Sequence, residues 1–410
     1  MTGKLAELTH SVRPNESGLP PVAASRVYSL RWGSLVDRVF RAVERLGLWV
    51  LLRLPPEVSH AIALRAFAVY RLRSPLIQSD LLRTKVLGIS FPNPVGAAAG
   101  LDKNAEAVTG ILAAGFGYCE VGTVTPLQQT GNSKPRVFRL RTEEAVLNRF
   151  GFNSDGAATV FSRLQTAGSC GVVGVNIGAN NSSPDRIADY VQGVGAFAGV
   201  ASYLTLNVSS PNTKGLRDLQ TNGHLRELIR RAVERRDFLA DQAGKRVPLL
   251  VKLAPDLLPD EMREVARTIV GSGVDGCIIS NTTTSRPGLE DFTVAREAGG
   301  LSGKPLFEMS TIQLACFRKL VGPAFPLIGV GGVDSGETAW AKFAAGANLI
   351  QLYTGVIYRG PSLVREICDY LTDRLAAEGY SSISDIVGID ADAWAALPVP
   401  ALTPRTAARS

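Results

Sequence analysis

Between Tyr203 and Leu216 the chain reads YLTLNVSSPNTKGL, and Asn207, Ser209, Ser210 and Asn212 fall within it in quick succession. The apolar, β-branched opening predicts a short buried strand, and the abrupt change to Asn, Ser and Pro predicts that it ends at a polar rim. Hydroxyl and amide groups so arranged can hold a planar polar ligand by its edge. The same letters also spell an ordinary strand-to-helix turn, so the stretch gains meaning only from company. Asn148, Asn176 and Asn281 provide it, since with Asn207 and Asn212 they all fall at predicted strand ends or in one predicted lid. Each amide gives two donors and an acceptor, and a ring of them could read a heterocycle with alternating C=O and N–H groups.

Two lysines occupy similar positions, Lys103 in GLDK and Lys252 in LLVKLAP. A lysine at an inward or mouth position is costly unless it meets an anion or a ligand atom. A Schiff-base role competes for Lys252, because a partly buried amine can have a depressed pKa. Two glycine-bearing stretches, GVGGVDSGE (Gly329–Glu337) and LYTGVIYRGP (Leu352–Pro361), follow the last predicted strands. There they could bring backbone N–H groups close to a phosphate; otherwise they are tight turns.

Other chemistries are poorly provided for. Only His10, His60 and His224 are present, which argues against histidine-ligated metal catalysis and a Ser-His-Asp hydrolase. Cys119, Cys170, Cys277, Cys316 and Cys368 are scattered with no CxxC pair, so neither a disulfide framework nor a zinc site is indicated, and no metal is expected. A net charge of +7 over 410 residues and an aromatic fraction of 7% give no sign of a nucleic-acid surface.

The elements that must position these groups come as a rhythm. Short apolar runs at Pro94–Leu101, Tyr118–Thr125, Val172–Gly178, Leu204–Ser210, Leu249–Pro255, Gly276–Asn281, Leu327–Val333 and Leu349–Gly355 alternate with helical patterns. Eight such repeats predict a (β/α)8 TIM barrel, whose active site lies at the C-terminal ends of its strands. Pro126–Phe152 is too long for a plain connection and reads as a β-ribbon or lid over that mouth. In front, Val36, Val39, Phe40, Val43, Leu46 and Val50 recur at helical spacing from Ser34 to Leu54, with Arg38, Arg41 and Arg45 on another side. Pro55 and Pro56 separate this helix from a second, expected over Pro56–Arg73. The pair suits a membrane surface, or packs as an ordinary cap on the barrel. No apolar run approaches the roughly 20 residues that span a bilayer.

With these residues in hand, the chain from Leu35 to Ala377 resembles the dihydroorotate dehydrogenases, specifically the membrane-associated, quinone-using class 2 enzymes. The resemblance rests on NPVGAAAGLDKN (Asn93–Asn104), EVGTVTP (Glu120–Pro126), GNSKPRVFRL (Gly131–Leu140), NRFGFN (Asn148–Asn153), VNIGAN (Val175–Asn180), LNVSSPNTKGLR (Leu206–Arg217), VKLAPD (Val251–Asp256), SNTT (Ser280–Thr283), GGLSGKPL (Gly299–Leu306), GVGGVDS (Gly329–Ser335) and QLYTG (Gln351–Gly355). It implies FMN held through Ala98, Ala99, Gly100, Thr123, Asn176, Asn207, Lys252, Ser280, Gly303, Gly332, Tyr353 and Thr354. It implies dihydroorotate held by Lys103, Asn148, Arg149, Phe150, Gly151, Phe152, Asn207, Asn212, Asn281 and Thr282. The class 2 enzymes carry a serine as the base that removes the C5 proton, and that position is Ser210. Thr213 or ordered water would relay the proton. Ser209 receives no role, and Ser280 stands where threonine is common. His60, Arg139 and Tyr353 match positions along a quinone tunnel.

The implied division is a mobile extension over 1–33, an amphipathic quinone and membrane module over 34–74, an FMN-binding barrel over 75–380 and a disordered tail over 381–410. The expected reaction is oxidation of (S)-dihydroorotate to orotate for de novo pyrimidine biosynthesis, in a monomer at the cytoplasmic face of a bacterial inner membrane or, alternatively, at a mitochondrial inner membrane. A flavin barrel reducing a dihydropyrimidine with NAD(P)H, or a catalytically idle ligand-binding barrel at a membrane, are the competing readings.

Overall fold

The structure, a computed structural model, describes residues 35–70, 79–213, 216–220, 222–289 and 292–400. The extension expected over 1–33 and the tail beyond residue 400 lie outside the described residues.

Eight parallel strands close into a barrel: β1 (Val95–Ala97), β2 (Tyr118–Val124), β3 (Val172–Ile177), β4 (Tyr203–Asn207), β5 (Leu249–Leu253), β6 (Gly276–Ile279), β7 (Leu327–Val330) and β8 (Leu349–Leu352). Each pairs with its neighbours in sequence, and β8 pairs back onto β1, as the eight apolar runs predict. Helices such as Asn222–Ala243, Phe307–Val321, Gly336–Ala344 and Ser362–Glu378 surround it.

The two-residue period of a strand sorts the interior into tiers. Tyr118, Tyr203, Leu250, Ile278, Ile328 and Leu349 form an apolar lower tier, joined by Phe91 from a hairpin, Thr84–Val86 with Ile89–Phe91. Two positions further along their strands come Glu120, Thr205, Lys252 and Gln351, all buried, and Asn176 joins them. Ser280, two positions beyond Ile278, stands level with these, and another two positions bring Asn207 and Tyr353 to the mouth. The large tyrosines of the lower tier fit because glycine stands beside them: Gly96 pairs with Tyr118 and Gly174 with Tyr203.

The expected lid is present as two antiparallel strands, Val137–Leu140 and Ala145–Asn148, extended by a third from a distant part of the chain, Gly300–Gly303. Ahead of the barrel lie helices α1 (Leu35–Leu51) and α2 (Pro56–Val69). Helix α1 turns its apolar stripe outward: Val43 is 65% and Leu46 64% exposed, with Val39, Trp49 and Val50 beside them. That orientation removes the ordinary-cap reading for these residues, since a cap would bury them. The contacts of α1 with the barrel helix Ser362–Glu378 are polar instead. Arg41 pairs with Glu366 at 2.8 Å, and Glu44 accepts the Ser362 N–H at 2.9 Å, where a carboxylate meets a helix N-terminus.

The tail expectation needs correction. Residues 381–400 are not disordered: Ile383, Ile386 and Trp394 are buried, and helix Ala391–Ala395 packs on helix Phe307–Val321. Trp394 meets Phe307 edge-on, with ring centroids 6.1 Å apart. The Ala- and Pro-rich composition hid a few large apolar anchors sufficient to hold the segment.

A Cβ added at Gly174 would stand 2.1 Å from the Tyr203 ring. Gly174→Ala is expected to cost about 1–3 kcal/mol through overpacking, read as a lowered thermal midpoint. An unchanged midpoint would show that the lower tier can yield.

Candidate active site

A cavity of about 640 Å³ joins the front helices to the barrel mouth. Leu48 and Leu51 of α1 and His60, Ala63 and Phe67 of α2 line one arm; Lys103, Asn207, Ser210, Asn212, Lys252, Asn281 and Thr282 line the other. Tyr353 stands between them, its ring edge-on to His60 with centroids 6.4 Å apart. Every residue expected along the quinone tunnel, His60, Arg139 and Tyr353, borders this one space.

The polar side of the mouth is organised from below by Glu120. Its carboxylate, fully buried, accepts from Asn176 Nδ2 at 2.8 Å, Gln351 Nε2 at 2.9 Å, Tyr203 Oη at 3.0 Å and Thr205 Oγ1 at 3.3 Å. A carboxylate accepts only, so Asn176 must present its nitrogen downward and its oxygen upward. That oxygen receives Thr123 Oγ1 at 2.6 Å and Asn207 Nδ2 at 3.1 Å. Asn207 is thereby oriented with its own oxygen toward Asn281, whose Nδ2 donates to it at 3.1 Å. Asn281 Nδ2 also reaches Ser209 Oγ at 2.9 Å, which gives Ser209 a bracing part that the sequence did not reveal. Asn148 and Asn212 form a second pair, Asn212 Nδ2 donating to Asn148 Oδ1 at 3.2 Å.

The loop that carries Ser210 is clamped from outside. Arg217 donates to the Ser209 and Thr282 carbonyls at 3.1 Å each and pairs with the buried Asp256 at 2.8 Å. Ser210 is buried and its Oγ accepts the Asn212 N–H at 3.3 Å. Thr213, three positions on, keeps a buried hydroxyl that has no partner among the described residues.

Both expected lysines face the cavity. Burial, then the charge of Arg136, lowers Lys103 to about 8; its ammonium donates to the Gly100 carbonyl at 2.8 Å and lies 4.1 Å from the centre of the Phe150 ring. Burial also lowers the pKa of Lys252, against the pull of the Glu120 charge. His60 is pushed down to about 3 by burial and by the Lys103 charge, so the imidazole is neutral near pH 7.

The lid is tied to the front helices by residues to which the sequence reading gave no role. Arg136 pairs with Glu57 of α2 at 2.8 Å, and Asn132 Nδ2 bridges the Arg149 carbonyl at 2.9 Å and the Asn212 carbonyl at 3.1 Å. Arg139 donates to the carbonyls of Leu51 and Leu54, and Arg141 to that of Leu52, so cations close the C-terminal end of α1. Arg139 thus both borders the cavity and holds its wall. Phe150, Gly151 and Phe152 border the cavity, but the Arg149 side chain does not: it pairs with Glu297 at 2.5 Å and stacks on Phe138. Glu120 had one visible signal, an acidic residue inside the otherwise apolar YCEVGTV.

The residues expected around FMN fall into two places. Ala99, Gly100, Thr123, Asn207, Lys252, Tyr353 and Thr354 line the main cavity, with Ala98, Asn176 and Ser280 buried in the barrel's upper tiers. Gly303 and Gly332 border a small separate cleft with Gly355, beyond the ends of β7 and β8, the phosphate seat expected of this fold. A Cβ at Gly332 would lie 2.4 Å from Phe307 Cα, so backbone alone occupies that turn. An apolar-walled chamber with a lysine at its floor and a glycine cleft at its side fits a flavin mononucleotide. Among the described residues no cluster could hold a metal ion.

The family model for dihydroorotate dehydrogenase matches residues 81–375. The chain is 49% identical over 358 residues to the dihydroorotate dehydrogenase (quinone) of Agrobacterium fabrum, covering 87% of this chain and 98% of that one. The enzyme of the same name from Mesorhizobium japonicum is also 49% identical, over 87% of this chain and 99% of that one. Among solved structures, DHODH from Eimeria tenella in complex with ferulenol superposes with a TM-score of 0.78 at 37% identity, covering 84% of this chain and 98% of that one. The chain belongs to the dihydroorotate dehydrogenase family, within its quinone-dependent class 2.

Proposed function

We propose that this chain oxidises (S)-dihydroorotate to orotate with FMN as prosthetic group and a membrane quinone as electron acceptor, in de novo pyrimidine biosynthesis. The observation that carries the reading is the single cavity that joins an apolar entrance between α1 and α2 to a mouth lined with Lys103, Ser210 and asparagines. A dihydropyrimidine reductase using NAD(P)H would leave that apolar arm without a task.

When bound, FMN supplies the hydride acceptor. Ser210 takes the C5 proton of the substrate, and the buried Thr213 hydroxyl offers an onward route for it. Lys103 meets substrate negative charge, while Asn148, Asn212, Asn281 and Thr282 hold the pyrimidine edge and Phe150 to Phe152 close over it. Asn207 serves both substrate and flavin. Lys252, Thr123 and Asn176 support the flavin ring from the barrel side, with Ala98, Ala99, Gly100 and Ser280 along it. Gly303, Gly332, Tyr353 and Thr354 take its phosphate arm. Quinone enters between α1 and α2 and passes His60, Arg139 and Tyr353. Arg149 contributes through its backbone, its side chain being engaged elsewhere. Every one of these residues comes from one chain, so a monomer suffices.

Among the described residues no helix is long and apolar enough to cross a membrane. The outward Val39, Val43, Leu46, Trp49 and Val50 instead suit a surface helix lying in a lipid interface, with the exposed Arg38 and Arg45 toward anionic headgroups. We place the protein peripherally on the cytoplasmic face of a bacterial inner membrane; the bacterial relatives favour that over a mitochondrial one.

Mixed anaerobically with dihydroorotate, the purified protein is expected to lose its flavin absorbance. Ser210→Ala should keep its flavin and bleach about 100-fold more slowly or worse; unimpaired bleaching would remove Ser210 from the reaction. Lys103 is charged below about pH 8 and loses its proton above it. kcat/KM for dihydroorotate should therefore fall as pH rises through that value, and a profile unchanged by Lys103→Met would refute the assignment. For the membrane, Leu46→Asp with Trp49→Asp should abolish sedimentation with anionic vesicles while flavin bleaching continues. Undiminished sedimentation would exclude α1 as the contact.

A further inference from the structure

Beneath the glycine turn that follows β7 lies a lysine with no carboxylate partner among the described residues. Lys342, on helix Gly336–Ala344, is 0% exposed, burial pushes its pKa well down, and its amine donates to Ser310 Oγ at 2.6 Å. Ser310 Oγ also lies 3.0 Å from the Gly331 carbonyl oxygen and 3.1 Å from that of Phe307. A hydroxyl oxygen that accepts from the lysine N–H has its own hydrogen left to give, so Ser310 acts as a donor. Thr311 Oγ1 already donates to the Phe307 carbonyl at 2.6 Å, which leaves Gly331 as the acceptor that depends on Ser310. In a trans peptide the C=O and the following N–H point in opposite directions. Holding the Gly331 oxygen down onto Ser310 therefore turns the Gly332 N–H the other way, toward the cleft that Gly332 borders with Gly303 and Gly355. Positive φ at Gly331 and Gly332, 111° and 71°, gives a turn that side-chain-bearing residues rarely adopt.

We propose that Lys342 and Ser310 are positioning residues for the phosphate arm of the flavin: the buried Lys342 amine donates to Ser310 and so sets its polarity, and Ser310 sets the peptide that presents Gly332 N–H to the phosphate. The inference rests on the FMN reading and adds to it the device by which the glycine turn is held in donor orientation.

The test compares the full-length protein with Lys342→Met and Ser310→Ala. FMN release from each purified holoenzyme is followed by flavin fluorescence, and stripped protein is then reloaded with FMN or with riboflavin, which has the same ring and no phosphate. Both variants are expected to release FMN about tenfold faster and bind it about tenfold more weakly, with riboflavin affinity unchanged. Stripped Lys342→Met should melt no lower than wild type, because a fully buried amine gives way to an apolar side chain of similar length. Unchanged FMN affinity, or equal loss for FMN and riboflavin, would overturn the proposal. If Lys342→Met fails to fold, Ser310→Ala alone decides it by the same comparison. A wild-type protein without flavin would overturn the cofactor reading and this inference with it.

Discussion

A carboxylate sealed inside a closed barrel must be met by donors on every side, and Glu120 imposes that demand on this molecule. Its four donors come from β3, β4 and β8, of which only β3 pairs with β2, so satisfying it requires a closed barrel. Because the group accepts only, it also gives direction to what lies above. Asn176 takes its orientation from Glu120, Asn207 from Asn176, and Asn281 from Asn207. Asn176, Asn207 and Asn281 are a chain of amides aligned by one carboxylate below them, and they spend much of their bonding on each other. Specificity in such a rim comes from the orientation of the amides as well as their number.

The second constraint is mechanical. Two arms of one cavity have to meet at Tyr353, yet one is walled by the barrel and the other by helices whose apolar stripe faces away from it. Polar contacts reconcile these demands. Arg41 with Glu366, Glu44 with the Ser362 N–H, and Arg136 with Glu57 attach the front helices by their inward side. Half-buried charge pairs of this kind give direction more than strength. They leave the outward residues free of any task in the fold.

Much of this was legible in the sequence, and the exceptions have physical causes. The barrel was readable because eight apolar runs separated by helical patterns have few topological solutions, and the lid because its segment was too long for a turn. Periodicity revealed that α1 has an apolar face but not which way that face turns, since period carries no information about the partner. Glu120 was passed over because a single acidic letter in a strand looks the same whether it faces solvent or four donors. Arg149 sits within a run whose other members border the cavity, yet just past the strand end its side chain turns away to pair with Glu297. Order in residues 381–400 was missed because Ile383, Ile386 and Trp394 are spaced among small and polar residues that dominate any compositional view.

The pairing of Gly96 with Tyr118 and of Gly174 with Tyr203 has a consequence for how such a barrel changes over generations. Within each pair neither member can vary alone without cost: a larger residue at the glycine meets the ring, and a smaller one at the tyrosine opens a void. Tyr118 and Tyr203 also touch each other, with centroids 6.3 Å apart, so the two pairs form one linked unit. Replacement at the barrel floor must therefore be coupled, a change in one member of the unit calling for a change in another.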